Sequence, residues 1–467
     1  MNFRFPHLAL GKSRFMMYVG GEPSVQIPVL FDPHIQRNFP YFRFRLPTEI
    51  LEDIFIHYAR DYHTENNGRP MQSVPDWVNV SYVCRYWRSV ALNCPPLWTY
   101  LFMISPRWTD ELLARSKQAP LKLHLKLHPQ DDALQGLCFV EQVTNYMEHV
   151  EELRLHIPFA CSVSGYQFVS NFSSPALRLR VLEISVVNQP DGWSSKLFDG
   201  DTPALRTLIL TSCPVPWHSF KLAGLTKLSL RHTPDEFQQS SQEFLATLRC
   251  MQELTHLDLH DALSSAARFL SSEAFHTFQK FSLPRLSRLS IVGLHSAVIA
   301  ILSCVDIPLK AEVKLDCFSE DSSSPDDYML LSSSFARRFG MSKDQASHAP
   351  TISSSVIQLM RGMTALTFYT SGCDISISTT QGGLSCNTPL QVTIRFGQSM
   401  TTRDRDRIAS DVCCLVPLTK VQSVHLITPP YPSVFWSETL GRLYDLRYLK
   451  LSHSYMLDPS SLPHLAS

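Results

Sequence analysis

The sequence predicts an α+β chain with a repeat domain: a short helical module near the amino end, then an irregular α/β solenoid whose parallel sheet lines the concave face. Three observations carry this reading. Two closely spaced amphipathic helices are written between residues 44 and 101. A strictly alternating segment, LKLHLKLH, follows them, and beyond residue 150 the pattern L-x-x-L-x-L keeps returning.

The repeat decides the fold. VEELRL at 150, LRVLEI at 179, LRTLIL at 205, LTKLSL at 225, LTHLDL at 254, LSRLSI at 286, MTALTF at 363, VQSVHL at 421 and LRYLKL at 446 share it. Weaker copies lie at AEVKL (311–315) and LQVTI (390–394). The fourth-position markers Leu153, Leu182, Leu208, Leu228, Leu257 and Leu289 are separated by 29, 26, 20, 29 and 32 residues. That spacing fits leucine-rich repeats with irregular outer segments, stacked because one unit cannot bury its own leucines. DEFQQSSQEFLATLRCM (235–251) and SSEAFHTFQKF (271–281) read as helices of the convex side. The Asn that many repeat classes use to ladder the turn is absent, so the backbone must be satisfied another way.

In the amino-terminal module, Pro47 fits the first turn of a helix, where a missing N–H costs nothing. Ile50, Leu51, Ile54, Phe55 and Tyr58 then form an apolar face at helical period. Val80, Val83, Cys84, Trp87, Val90 and Ala91 write a second helix that must stop at Pro95-Pro96. So small a module cannot cover this many large apolar groups alone. Burying one of them is worth roughly 1.5–3 kcal/mol, so another surface is expected to cover part of the face. WTDELLARSK (108–117) reads as a short helix with Thr109 or Asp110 near its N-cap, and Leu121, Leu123, Leu125 and Leu127 as a half-buried strand.

These residues resemble an F-box: Leu46-Pro47, the Ile50/Ile54/Phe55 face, Val83-Cys84-Arg85 with Trp87-Arg88, and the terminal Leu97-Trp98. The likeness covers about residues 44–127, and with the tail Glu111–Leu127 it is most similar to F-box proteins of mushroom-forming (basidiomycete) fungi. HTENNGRPMQSVPDW is a longer connection between the two helical halves than most F-boxes have. The resemblance implies an intracellular, non-catalytic substrate receptor of an SCF-type ubiquitin ligase. It would bind an SKP adaptor, and through it a cullin, by Leu46, Pro47, Ile50, Leu51, Ile54 and Phe55, with Val83, Cys84, Trp87 and Trp98 locking the helices. A repeat scaffold acting outside any ligase is the alternative.

The domain plan expected is a poorly ordered leader (1–43), the F-box (44–101), a connecting helix and first strand (102–149), and the solenoid (150–467). A Ser/Asp/Pro-rich insertion interrupts the solenoid at about 319–355, and SLPHLAS at 461–467 repeats the lead-in SLPRLSR, as if a carboxy-terminal cap were lacking.

Composition excludes several classes. Lys+Arg (42) balances Asp+Glu (42), which favours neither nucleic acid nor an anionic membrane. Twelve cysteines without a C-x-x-C pair read as reduced thiols. The first residues lack the apolar core of a signal peptide, and HSAVIAILSCVDIPL is too short to cross a bilayer, so cytoplasm or nucleus is expected.

No nucleophile-elbow, P-loop, dinucleotide or H-E-x-x-H motif occurs, so neither catalysis nor a cofactor is expected. His256, Asp258 and His260 share a strand face but span roughly 13 Å at strand rise. Zinc ligands must converge to ~2 Å from one ion, so at most two of the three could share a metal without help from neighbouring repeats. The concave midline reads Arg154, Glu183, Ile209, Ser229, Asp258, Ser290, Lys314, Thr367, His425 and Lys450. Its mixed charge suits a protein partner, with Arg154, Glu183, Asp258, Lys314, His425 and Lys450 as the candidates to touch it.

Overall fold

The computed structural model describes residues 16–19, 22–26, 46–65, 75–101, 106–126, 142–157, 172–187, 197–263 and 280–318 with a few internal gaps, then the segments 363–371, 374–381, 390–395, 422–427 and 446–452. The expected insertion at 319–355, the helix at 271–281 and the carboxy-terminal lead-in lie outside the described residues, apart from the last two positions of that helix.

The leader contains a short antiparallel pair, β1 (Met16–Val19) with β2 (Glu22–Gln26). The helical module follows as α1 (Thr48–Glu65), a 3₁₀ segment Asp76–Tyr82, α2 (Arg85–Leu92) and a 3₁₀ turn Pro95–Trp98. Both ends of the long connection read between the two halves are helical, since α1 runs through His63 to Glu65 and the 3₁₀ segment opens at Asp76; residues 66–74 lie outside the described residues. Next come β3 (Tyr100–Leu101), α3 (Pro106–Ser116), β4 (Leu121–Lys126) and β5 (Val150–Ile157). α3 starts at Pro106, two residues before the reading from sequence, so Thr109 lies inside the helix, fully buried, rather than capping it.

The repeats supply β6 (Val181–Val186), β7 (Thr207–Thr211), β8 (Lys227–Arg231), α4 (Ser241–Arg249), β9 (His256–His260), β10 (Phe281–Ser282), β11 (Arg288–Leu294), α5 (His295–Cys304), β12 (Val305–Asp306) and β13 (Glu312–Phe318). Five further strands follow: β14 (Met363–Ser371), β15 (Asp374–Gln381), β16 (Leu390–Arg395), β17 (Ser423–Ile427) and β18 (Tyr448–Ser452). α5 is the apolar run that is too short to span a bilayer; its described side chains are buried. No helix among the described residues is long and apolar enough to cross a membrane.

From β3 through β9, then β11, β13 and β16, every neighbouring pair in the main sheet is parallel. The marker leucines at 153, 182, 208, 228, 257 and 289 are successive register partners, each at most 1 % exposed. They form one row of a core that runs without interruption from Leu51 in α1 to Cys317 in β13. The module is thus a helical segment followed by a parallel-sheet solenoid. One departure concerns β15, which lies antiparallel between β16 and β14, so the sheet is not parallel throughout. A second concerns where the sheet begins: Tyr100 and Leu101 pair with Lys122 and Leu123, well before Val150.

The missing asparagine ladder has a replacement at the foot of the strands. The hydroxyls of Thr226, Thr255 and Ser287 donate to the carbonyls of Arg206, Thr226 and Thr255 at 2.9, 2.8 and 2.9 Å. The backbone N–H of each of these residues donates to the same carbonyl. At the other end of the strands, Ser212, His232 and Asp261 hold left-handed φ values of 50°, 48° and 48°. Their N–H groups donate to Arg231, His260 and Val292 carbonyls in the next repeat. Both ends of the sheet are therefore laced by backbone and hydroxyl rather than by amide side chains.

Candidate docking surfaces

α1 carries two apolar stripes, and the helical turn separates them. Leu51, Phe55 and Ala59, spaced by four, are buried in the core at 0 %, 1 % and 1 % exposure. Leu46 and Ile50 stay open to solvent at 43 % and 47 %, Pro47 is exposed between them, and Ile54 is partly buried at their rim. Leu51 and Phe55, expected from the sequence to face the adaptor, lie in the core instead, because positions i+1 and i+5 sit about 100° around a 3.6-residue helix from i and i+4. Phe55 turns inward against Trp87, with ring centroids 5.2 Å apart.

The outer edge is held in place from α2. The Tyr86 hydroxyl donates to the Leu46 carbonyl at 2.8 Å, and the Leu51 N–H donates to the Pro47 carbonyl at 3.1 Å. Leu46 and Pro47 therefore enter the helix on a fixed backbone, with the Leu46 side chain left out in water. Tyr86 was not singled out from the sequence; its polar tip spoils the apolar period, so periodicity gave no signal for it. Tyr82, just ahead of α2, is also exposed, with the Arg88 guanidinium 5.9 Å over its ring.

Of the four residues expected to lock the helices, Trp98 sits deepest. Its Nε1 donates to the Ala91 carbonyl at 2.8 Å, its ring meets Trp77 edge-on at 5.2 Å, and the Arg115 guanidinium of α3 lies 4.3 Å over it. Trp87 is half-buried against Phe55. Cys84 is exposed and caps α2, its Sγ accepting from the Trp87 N–H at 3.4 Å, and Val83 is half-buried.

On the sheet, the pairing register brings the whole midline into one row. Arg154, Glu183, Ile209, Ser229, Asp258, Ser290 and Lys314 are successive partners. The row continues through Gln391, Ser378 and Thr367 to His425 and Lys450, with His425 placed by backbone register. Its first charges are linked to each other and to the adjoining positions. Glu152 accepts from Lys122 at 2.9 Å, and Arg154 lies 3.6 Å from Glu152 and 3.8 Å from Glu183.

His124, 3.8 Å away, is the largest influence holding the Glu152 carboxyl down at about 2; burial opposes it, and Lys122 and Arg154 add to it. Burial alone would raise Asp258, but Arg231 and the hydroxyls of Ser229 and Ser290 outweigh it and hold the carboxyl below its ordinary value. Lys314 and Lys450 remain exposed. The row thus offers a partner a surface of paired charges, hydroxyls and exposed cations rather than a block of one sign.

Curated proteins contain no match to this chain. Residues 44–104, which run from the Tyr86-pinned edge of α1 through Trp98 to the first strand, match the F-box-like family model, so the chain joins an N-terminal F-box-like region to a parallel-sheet repeat solenoid.

Proposed function

We propose that this chain is the substrate receptor of an SCF-type ubiquitin ligase: its F-box-like region docks on an SKP-type adaptor and, through that, on a cullin, while the leucine-rich repeat surface holds a protein substrate. The observation that carries the proposal is the pair Leu46 and Ile50, large apolar side chains left in solvent at the start of a helix whose neighbouring stripe is buried at 0–1 % exposure. Burying each is worth roughly 1.5–3 kcal/mol, enough to make this edge an anchor of a standard-sized interface. The resemblance of Glu111–Leu127 to the tail of basidiomycete F-box proteins supports the same reading.

The chain supplies position rather than chemistry. Holding an acceptor lysine beside a charged conjugating enzyme raises its effective concentration, and no catalytic group of the receptor need take part. The work is expected in the cytoplasm or nucleus. The mixed row from Arg154 to Lys450 supports a protein substrate.

Leu46→Ser combined with Ile50→Ser should abolish co-purification with an SKP-type adaptor and leave the thermal melt unchanged. Unaltered adaptor binding would reject the assignment. A second reading is favoured by β3: because the helical region supplies the first strand of the sheet, it also caps the solenoid. A scaffold outside any ligase would keep that cap and show no adaptor binding in the unmutated chain.

A further inference from the structure

Two consecutive repeats bring a second group of side chains together that the adaptor reading does not use. β8 and β9 are parallel with Arg231 opposite His260, so the residues that follow, His232 and Asp261, also stand side by side at the carboxy ends of their strands. His232 Nδ1 is 3.3 Å from Asp261 Oδ2, and the imidazoles of His232 and His260 have centroids 4.2 Å apart. One ligand atom from each of the three residues lies within 4.8 Å of the others.

We infer that His232, His260 and Asp261 form a binding site for a divalent transition metal ion, with zinc the best-suited occupant. Two imidazole nitrogens and one carboxylate oxygen are the donor types that zinc takes, and three protein donors leave a fourth position for water. Donors held at about 2.0–2.2 Å from a tetrahedral ion stand roughly 3.4 Å apart, which the His232–Asp261 pair already matches. The second imidazole closes the remaining gap by side-chain rotation. The backbone is also prearranged: His232 and Asp261 both hold φ of 48°, a conformation fixed by N–H bonds into the next repeat. Arg231, the register partner of His260, has its charge paired with Asp258, its Nε donating at 3.0 Å. His256 and Asp258, which the sequence grouped with His260, are not members; the third ligand comes from the neighbouring repeat instead.

The test is zinc binding by the full chain, measured by competition with a chromophoric chelator at neutral pH. Variants are His232→Asn and Asp261→Asn, because Asn tolerates the left-handed backbone, together with His260→Gln. His256→Gln serves as the control. The wild type and His256→Gln should each hold one zinc equivalent more than the three site variants, whose affinity at this position should fall by more than about tenfold. Equal stoichiometry and affinity in all five proteins, with unchanged melting curves, would overturn the site. A loss in His256→Gln as large as in the others would overturn the ligand set.

Discussion

The His63 ring lies flat on Tyr100, centroids 4.4 Å apart and planes within 15°, joining the last turn of α1 to the first strand of the sheet. Tyr100 in turn receives Lys122 at 5.2 Å over its face. The helical region and the solenoid therefore meet through aromatic and cationic groups as well as through shared leucines.

Burial pushes His63 down to about 3, with nearby His124 adding to the effect. The unfolded chain takes up this proton near 6.5 and the folded chain does not, so the unfolded state binds more protons in between. Stability from this source is complete above pH 6.5 and is lost as pH falls toward 3. Glu152, held at about 2, adds a separate loss between about 4.5 and 2. Denaturant unfolding followed against pH should show His63→Phe flattening the upper window and leaving the lower one.

Leu46 and Leu51 should differ sharply although they sit within two turns of each other. Leu51→Ala removes a fully buried side chain and should cost about 2–5 kcal/mol. Leu46→Ala should change stability by less than about 0.5 kcal/mol. Equal unfolding midpoints for the two variants would contradict the division of α1 into an inner and an outer stripe.

Trp98 binds α2, the 3₁₀ segment and α3 at once. Trp98→Ala should cost about 3–5 kcal/mol, and because the core is shared, amide exchange should accelerate in β3 and β4 as well as in the helices. Protection that stays unchanged in β4 would mean that the two regions unfold separately.

In the hydroxyl ladder, Thr255→Val removes the hydroxyl's hydrogen bonds to the Thr226 carbonyl and to His256 Nδ1, each 2.8 Å, while the Thr255 N–H still donates to the Thr226 carbonyl. The acceptor keeps a partner, so the expected loss is about 0.5–1.5 kcal/mol. Urea unfolding would measure it, and a similar loss is expected from Ser287→Ala.

The solenoid was legible because its signal is local and repeated: each L-x-x-L-x-L states which side chains turn inward, and Leu153 to Leu289 do so in one row. The ladder was there to be read as well, in the Thr or Ser that follows the first leucine of LTKLSL, LTHLDL and LSRLSI. β15 was missed because DISISTTQ lacks the leucine pattern, and its place between β16 and β14 depends on pairing that no local window contains. On α1, an apolar face was visible but its division was not. Which of two neighbouring stripes turns inward depends on Trp77, Trp87 and Trp98, which are distant in sequence. The grouping of His232 with His260 was hidden for a related reason, since it needs the register between two repeats.

Because β3 belongs both to the F-box-like region and to the sheet, strand pairing ties the helical end directly to the repeats. Eight inter-strand steps lead from β3 to β13 in the described sheet, and at about 4.8 Å each they set a ruler of roughly 40 Å. Under the proposed function, a cargo held further along that ruler would be presented at a greater fixed offset from the docked edge, so the choice of repeat would determine which lysines come within range.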